Sequence, residues 1–245
     1  MTSTFIKILL LLLIIPENSD KYRFDIYMAY IDDKMEIWEK TLDIMDGVSD
    51  KSNEFLLELV NYRYGYIGYC LKSGNKGEAR KYLDLVQENI GILENKNYRP
   101  GLIDAYKAAI YGFKISLTPI TAPLNGPKSL ECIKSALKLE PQNYFCHIQY
   151  GNIKNNMPSA FGGSKKEALD NYLKARELME KDTVLTAENW NYMKLLILIA
   201  ETSTELKEYE SAMEVYKNIL DLEPGFILVK DDLYPKFLDK IRNLQ

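Results

Sequence analysis

The residues able to do chemistry are few. His147 is the only histidine in 245 residues, so a catalytic triad or a histidine-based zinc site would have to be assembled around it. It stands two residues after Phe145 on an amphipathic stretch, which predicts a packed or half-exposed structural role. Cys146 precedes it directly, but adjacent helical residues point about 100° apart and do not pair. Cys70, Cys132 and Cys146 belong to no CxxC motif and read as small apolar residues of helix faces. A Cys132–Cys146 disulfide stays open if the chain meets an oxidising compartment. Asp32-Asp33 and Asp231-Asp232 have the makings of paired carboxylates for acid–base work. More simply, they decorate the polar face or the start of a helix, where the macrodipole favours acid. Gly162-Gly163 lacks the Lys-Ser/Thr that follows in a phosphate loop and predicts a tight turn. No stretch has metal-ligand spacing. The expectation is therefore a non-enzyme with no catalytic residue, metal or cofactor.

Recognition is the remaining task. The chain is rich in tyrosine, with 18, and Tyr62, Tyr64, Tyr66 and Tyr69 crowd one stretch that no single helix face can hide. Tyrosine suits recognition because it covers a large area and keeps a polar end. Half or more are expected in core and groove packing, with a few on a binding surface. A net charge of −4 and the lack of any lysine–arginine cluster argue against a nucleic-acid partner, which needs a basic face.

Export is the reading of the first residues. "MTSTFIKILLLLLIIPENSD" carries Lys7, then an unbroken apolar run from Ile8 to Ile15, Pro16 and small Ser19. That order predicts a secretory signal peptide over 1–19, too short to span a bilayer. No cysteine follows to carry a lipid. The expected location is the periplasm or cell envelope, with membrane contact only through this segment.

The elements that must position any site are helical. Tyr27, Ile31, Met35, Trp38, Leu42 and Met45 step by threes and fours and predict one long helix ending at Gly47. Stripes from Ala79 to Leu93 and from Ile103 to Leu117 predict two more, and Pro100-Gly101 introduces the second of these. Pro127 predicts a helix start, Thr186 a cap, and Ser164 with Glu167 a capping box ahead of Ala168, Tyr172, Ala175 and Met179. About ten helices with short links result. The fold class is all-α.

Alternate helices also repeat. "SLECIKSALKLEP" and "SAMEVYKNILDLEP" share a small residue, a large one four later, a smaller apolar one three after that, and a final proline. These are Ser129, Ile133, Ala136, Pro141 and Ala212, Tyr216, Ile219, Pro224. Ala168, Tyr172, Ala175 and Ala79, Leu83, Val86 fit the same frame, with Tyr66, Gly68 and Tyr150, Gly151 in the preceding helices. The pattern resembles the tetratricopeptide repeat, in which small residues permit close helix approach. It covers about 53–224 as four divergent hairpins, with intervals wider than the family's 34 residues. Helices in 20–52 and 225–245 would cap the ends, and the whole would be an α-solenoid. By offset from Gly151, His147 occupies the family's early tryptophan position.

The resemblance also implies a site. In such arrays the first helix of each unit lines a concave groove, which here places Asn61 and Tyr64, Tyr111 and Lys114, Phe145, Ile148 and Asn152, and Lys194, Ile197 and Glu201 on exposed groove positions. Lys114 and Asn152 fall near the places of the family's peptide-carboxylate clamp, while Thr118 stands where an asparagine would follow Lys114. The implied function is an exported scaffold binding a protein or peptide in that groove. The alternative is a transporter-associated or small-solute-binding envelope component, because "FGGSKKEA" resembles a junction in transporter-associated members of the family.

Overall fold

The computed structural model describes residues 19–243. The expected signal segment, except for Ser19, lies outside the described residues. Helices α1 (Ser19–Ile31) and α2 (Met35–Asp46) form a first pair. Four more pairs follow: α3 (Asn53–Lys72) with α4 (Lys76–Asn95), α5 (Pro100–Leu117) with α6 (Ala122–Leu139), α7 (Tyr144–Asn156) with α8 (Lys165–Met179), and α9 (Trp190–Glu205) with α10 (Tyr209–Leu222). A π-helical turn, Leu228–Leu233, leads into α11 (Tyr234–Arg242). Each pair packs on the next, giving an all-α solenoid of stacked hairpins.

Small residues at fixed register make the stacking possible. Ala79, Ala168 and Ala212 are completely buried, and so are Ala136 and Ala175. Ser129 takes the same place in the second unit and donates to the Ala108 carbonyl at 2.9 Å. Gly151 is smaller still for a reason: a Cβ there would lie 2.4 Å from Cε1 of Tyr172.

Three helix boundaries differ from expectation, and one expected cap forms only in part. The single N-terminal helix breaks into α1 and α2, because Asp33 turns left-handed (φ 53°), a conformation that aspartate tolerates better than most residues. Pro127 lies inside α6, which starts at Ala122 with Pro123 in its first turn. The missing N–H of Pro127 leaves the Pro123 carbonyl without its helical donor. Asn189, not Thr186, caps α9, accepting from the Asn191 N–H at 2.9 Å. Only half of the capping box forms. Ser164 accepts from the Glu167 N–H at 3.2 Å, but the Glu167 carboxylate turns to Lys154 at 2.8 Å. The Lys154 carbonyl takes the Ser164 N–H in its place. Gly162 (φ 94°) makes the tight turn before the cap.

The two ends of the array meet. Tyr27 on α1 donates to Glu223 beyond α10, Trp38 and Trp190 stack edge-on at 5.2 Å, and Tyr30 meets Phe226 at 5.2 Å. Among the described residues no helix is long and apolar enough to cross a membrane.

Candidate binding cavity

Where the first helices of the pairs face one another, an aromatic floor forms. Tyr64 is its centre, with ring contacts to Tyr106 (6.1 Å), Phe113 (5.4 Å), Phe145 (5.3 Å) and Trp190 (6.2 Å). Its hydroxyl accepts from the side-chain amides of Gln149 at 2.8 Å and Asn152 at 3.4 Å. The Asn152 oxygen in turn accepts from the Tyr172 hydroxyl at 2.9 Å. Burial raises the Tyr64 phenol above its ordinary range. Phenol and amides thus hold one another in place, and the ring orientation is fixed.

Two hollows open on either side of this centre, and both are bounded by Tyr64, Phe113 and Asn152. The first lobe, about 520 Å³, lies between α2, α3, α7 and α9 and is walled by Met35, Trp38, Ile148, Trp190 and Leu195. Its charged lining is Asp33, Lys72 and Lys194. The second lobe, about 820 Å³, lies between the α5–α6 hairpin and α7, against Ala109, Pro123, Leu130, Ile153, Met157 and Phe161. Both fall in the size range of small-ligand sites, with mostly apolar walls and few polar groups.

Glycines make the room. Gly68 lines the first lobe, and Gly112 and Gly126 line the second. A Cβ built on any of the three would meet nothing within 4 Å. Gly65 on the same wall is different, because its Cβ would strike Trp38 and Trp190 at 2.7 Å.

The expected groove residues divide between several places. Tyr64, Ile148, Asn152 and Lys194 stand on the wall of the first lobe. Asn61 lies beneath it, accepting from Tyr106 at 3.2 Å and from Asn191 at 3.0 Å. Phe145 and Ile197 are corrected: they are core residues, 2% and 1% exposed. Ile148, at 5%, is likewise buried, although it reaches the wall. The cause is closure, because α1 and α2 pack toward α9 and turn positions that would face an open groove into the interior. Tyr111 and Lys114 line neither lobe; the Lys114 ammonium lies over the Tyr111 ring at 5.5 Å. Lys114 and Asn152 are therefore not brought together as a clamp. Glu201, half-buried, also lines neither lobe.

Several wall residues escaped the repeat register. Asp33, Met35 and Trp38 come from the N-terminal pair, and Lys72 from the last turn of α3. The one legible signal was glycine inside helical periodicity, which marks a place where packing or function needs space.

Reactive groups elsewhere are engaged or shielded. His147 contacts Asn171 at 3.1 Å through Nδ1 and the Pro141 carbonyl at 2.9 Å through Nε2. All three cysteines are free. Burial pushes the Cys146 thiol up to about 12 and the Cys70 thiol to about 11. Among the described residues no cluster of three or more His, Cys, Asp or Glu side chains could hold a metal.

Two solved structures share this architecture. The HusA haemophore from Porphyromonas gingivalis matches with a TM-score of 0.59 at 16% identity, over 77% of this chain and 96% of its own. TTC0263, a thermophilic tetratricopeptide protein of Thermus thermophilus, matches with a TM-score of 0.51 at 17% identity, over 86% and 92%. No protein-family model matches the sequence, and no curated protein does. The likeness is one of fold: the chain shares with these two structures an all-α solenoid of stacked helical hairpins.

Proposed function

We propose that this protein is a non-catalytic binding scaffold that holds a compact, largely apolar ligand in the two-lobed cavity around Tyr64. The observation that carries the reading is the set of glycines at Gly68, Gly112 and Gly126. Each sits within a helix, where glycine costs about 0.5–1 kcal/mol relative to alanine, yet none is required by a neighbouring atom. What each leaves is cavity volume. Gly91 on α4 is also open, but it lines neither lobe. The engaged histidine and the raised, buried thiols support a role without chemistry. The segment 1–19 supports export as a cleaved signal peptide, which the intact mass of the mature protein would register.

The fold shared with a haemophore makes a tetrapyrrole a natural first cargo to try. The side chains on the walls that could ligate its iron are the thioethers Met35 and Met157, the phenols Tyr30, Tyr64 and Tyr69 and the amines Lys72 and Lys194, because His147 stands outside both lobes with its nitrogens engaged. The walls thus suit the flat apolar macrocycle more than the metal. Metal-free protoporphyrin is expected to bind within about threefold of haemin.

The test uses Nile red, a neutral apolar dye whose emission shifts on burial. It should bind the native chain, and Gly68→Phe and Gly112→Phe should each weaken binding at least tenfold without lowering the melting temperature. Dye affinity untouched by either substitution would overturn the cavity reading.

A second reading rests on the rim of the second lobe. Phe161 on its wall is 78% exposed, and Ile120 and Leu124, which flank the lining residues Ala122 and Pro123, are 87% and 62% exposed; exposed apolar patches mark interaction surfaces. A protein or peptide partner would dock across that mouth, not along an open groove. Ile120→Glu with Leu124→Glu, neither of which lines the lobe, would then abolish its capture and leave Nile red binding intact.

A further inference from the structure

Three donors on the wall of the first lobe, Lys72, Lys194 and Trp190, are without partners among the described residues. Lys72 stands at its exposed mouth, and half-buried Lys194 stands deeper on α9. Among the described residues neither ammonium forms an ion pair or a side-chain hydrogen bond. Trp190, 6% exposed, lines the same lobe, and its indole N–H is buried without a partner. Asp33 is the single carboxylate on the wall. Two cations thus face one anion inside a protein whose net charge is −4. Burial lowers the Lys194 ammonium below the ordinary lysine range; Glu201 along the same helix opposes this, and the charge of Lys72 adds to it. A desolvated cation beside a second cation gains most from an incoming anion. Around these donors the wall is aromatic: Trp38, Tyr64, Phe113 and Trp190.

We propose that the first lobe binds a small organic anion with an aromatic body, its carboxylate held by Lys72 and Lys194 and its rings by Trp38, Tyr64 and Trp190. This deepens the binding-scaffold reading and rests on it. The anionic end lies toward Lys72 at the mouth, and the apolar body reaches the Tyr64 floor. An unpartnered acceptor on the ligand would also satisfy the Trp190 N–H.

The two tryptophans of the chain both line this lobe, so intrinsic fluorescence reports occupancy directly. The probes are 2-naphthoate and its neutral isostere 2-naphthamide, titrated into the full chain. Naphthoate is expected to bind at least tenfold more tightly than the amide, and to weaken as salt rises. Lys72→Gln with Lys194→Gln should bring naphthoate down to the affinity of the amide and leave the amide unchanged. If the double variant does not fold, Lys72→Gln alone, at the exposed mouth, should lose at least threefold for naphthoate only. Equal affinities of the two probes for the native chain would overturn the anion preference while the cavity reading stands. If neither probe alters the fluorescence and Nile red also fails to bind, both are overturned.

Discussion

Whether a glycine is structural or spacious depends on what its missing Cβ would touch. Gly65 and Gly151 are structural. A methyl group at Gly65 meets two indole rings at 2.7 Å, and one at Gly151 meets the Tyr172 ring at 2.4 Å. Gly65→Ala and Gly151→Ala should each cost about 1–3 kcal/mol through overpacking. Gly68→Ala, three residues from Gly65, should instead stabilise the chain by about 0.5–1 kcal/mol, since only the helical penalty of glycine is removed. Chemical denaturation of the three variants checks the signs, and a loss at Gly68 would mean that the first lobe is not open there. The sequence showed these glycines inside helical patterns, but it could not sort them, because the sorting contacts come from other helices. The same limit separated the two expected groove lysines. The repeat frame placed both Lys114 and Lys194 on the groove, yet Lys194 reaches a cavity wall and Lys114 lies over Tyr111. Phe145 and Ile197 were misplaced for a related reason: register sets the direction of a side chain, while what lies in that direction depends on the curvature of the array.

Helices and their junctions were the most legible level, because a period of 3.6 and the capping residues are local properties. Alanines at the repeat positions are completely buried, so Ala168→Leu and Ala212→Leu should each destabilise by about 1–3 kcal/mol; melts unchanged within error would contradict the close helix contact. The misses fell where local signals compete. Pro127 predicted a start, but Pro123 had already begun the helix, and a proline in the second turn was tolerated. Thr186 and Asn189 were both able to cap, and Asn189 stands immediately before Trp190. One junction carries a charge that local reading overlooked. Glu140, just past α6, accepts from the Leu102 N–H at 3.0 Å, from Arg99 at 3.0 Å and from Asn143 at 2.6 Å. Gly101 permits the approach, since its Cβ would lie 2.8 Å from the Glu140 Cγ. Burial works against the carboxylate, but these donors outweigh it and hold Glu140 below the ordinary value of 4.5. A depressed acid contributes stability that is present above its unfolded value and lost as pH falls through the folded one. Stability should therefore drop as pH falls below 4.5. Glu140→Gln should cost about 1–2 kcal/mol at neutral pH and flatten that acid limb. An unchanged acid limb in the variant would assign the loss to other carboxylates.

At the scale of the whole molecule the array departs from a simple solenoid. In repeat proteins each unit touches only its neighbours, so stability is a sum of local terms and the ends can unfold separately. Here the first two pairs reach the last. Trp38 meets Trp190, Tyr30 meets Phe226, and Asn61 on α3 is bonded to Asn191 across 130 residues. No local pattern encodes such a seam, which arises only when stacking brings α1 and α2 round to α9. It links the ends thermodynamically and also makes the first lobe, because Asp33, Met35 and Trp38 enter the wall from one end and Trp190, Lys194 and Leu195 from the other. Unfolding followed by tryptophan fluorescence, which reports the seam, should coincide with unfolding followed by far-UV circular dichroism, which reports all the helices. Tyr30→Ala with Phe226→Ala removes seam contacts and leaves the hairpin stacking in place. It should cost about 2–5 kcal/mol and split the two transitions, with the fluorescence midpoint at lower denaturant. Binding of Nile red should weaken together with the seam, because the first lobe takes its walls from both ends of the array. Coincident transitions in the variant would mean that neighbour-to-neighbour stacking alone makes the chain cooperative, and that the seam shapes the cavity without holding the fold.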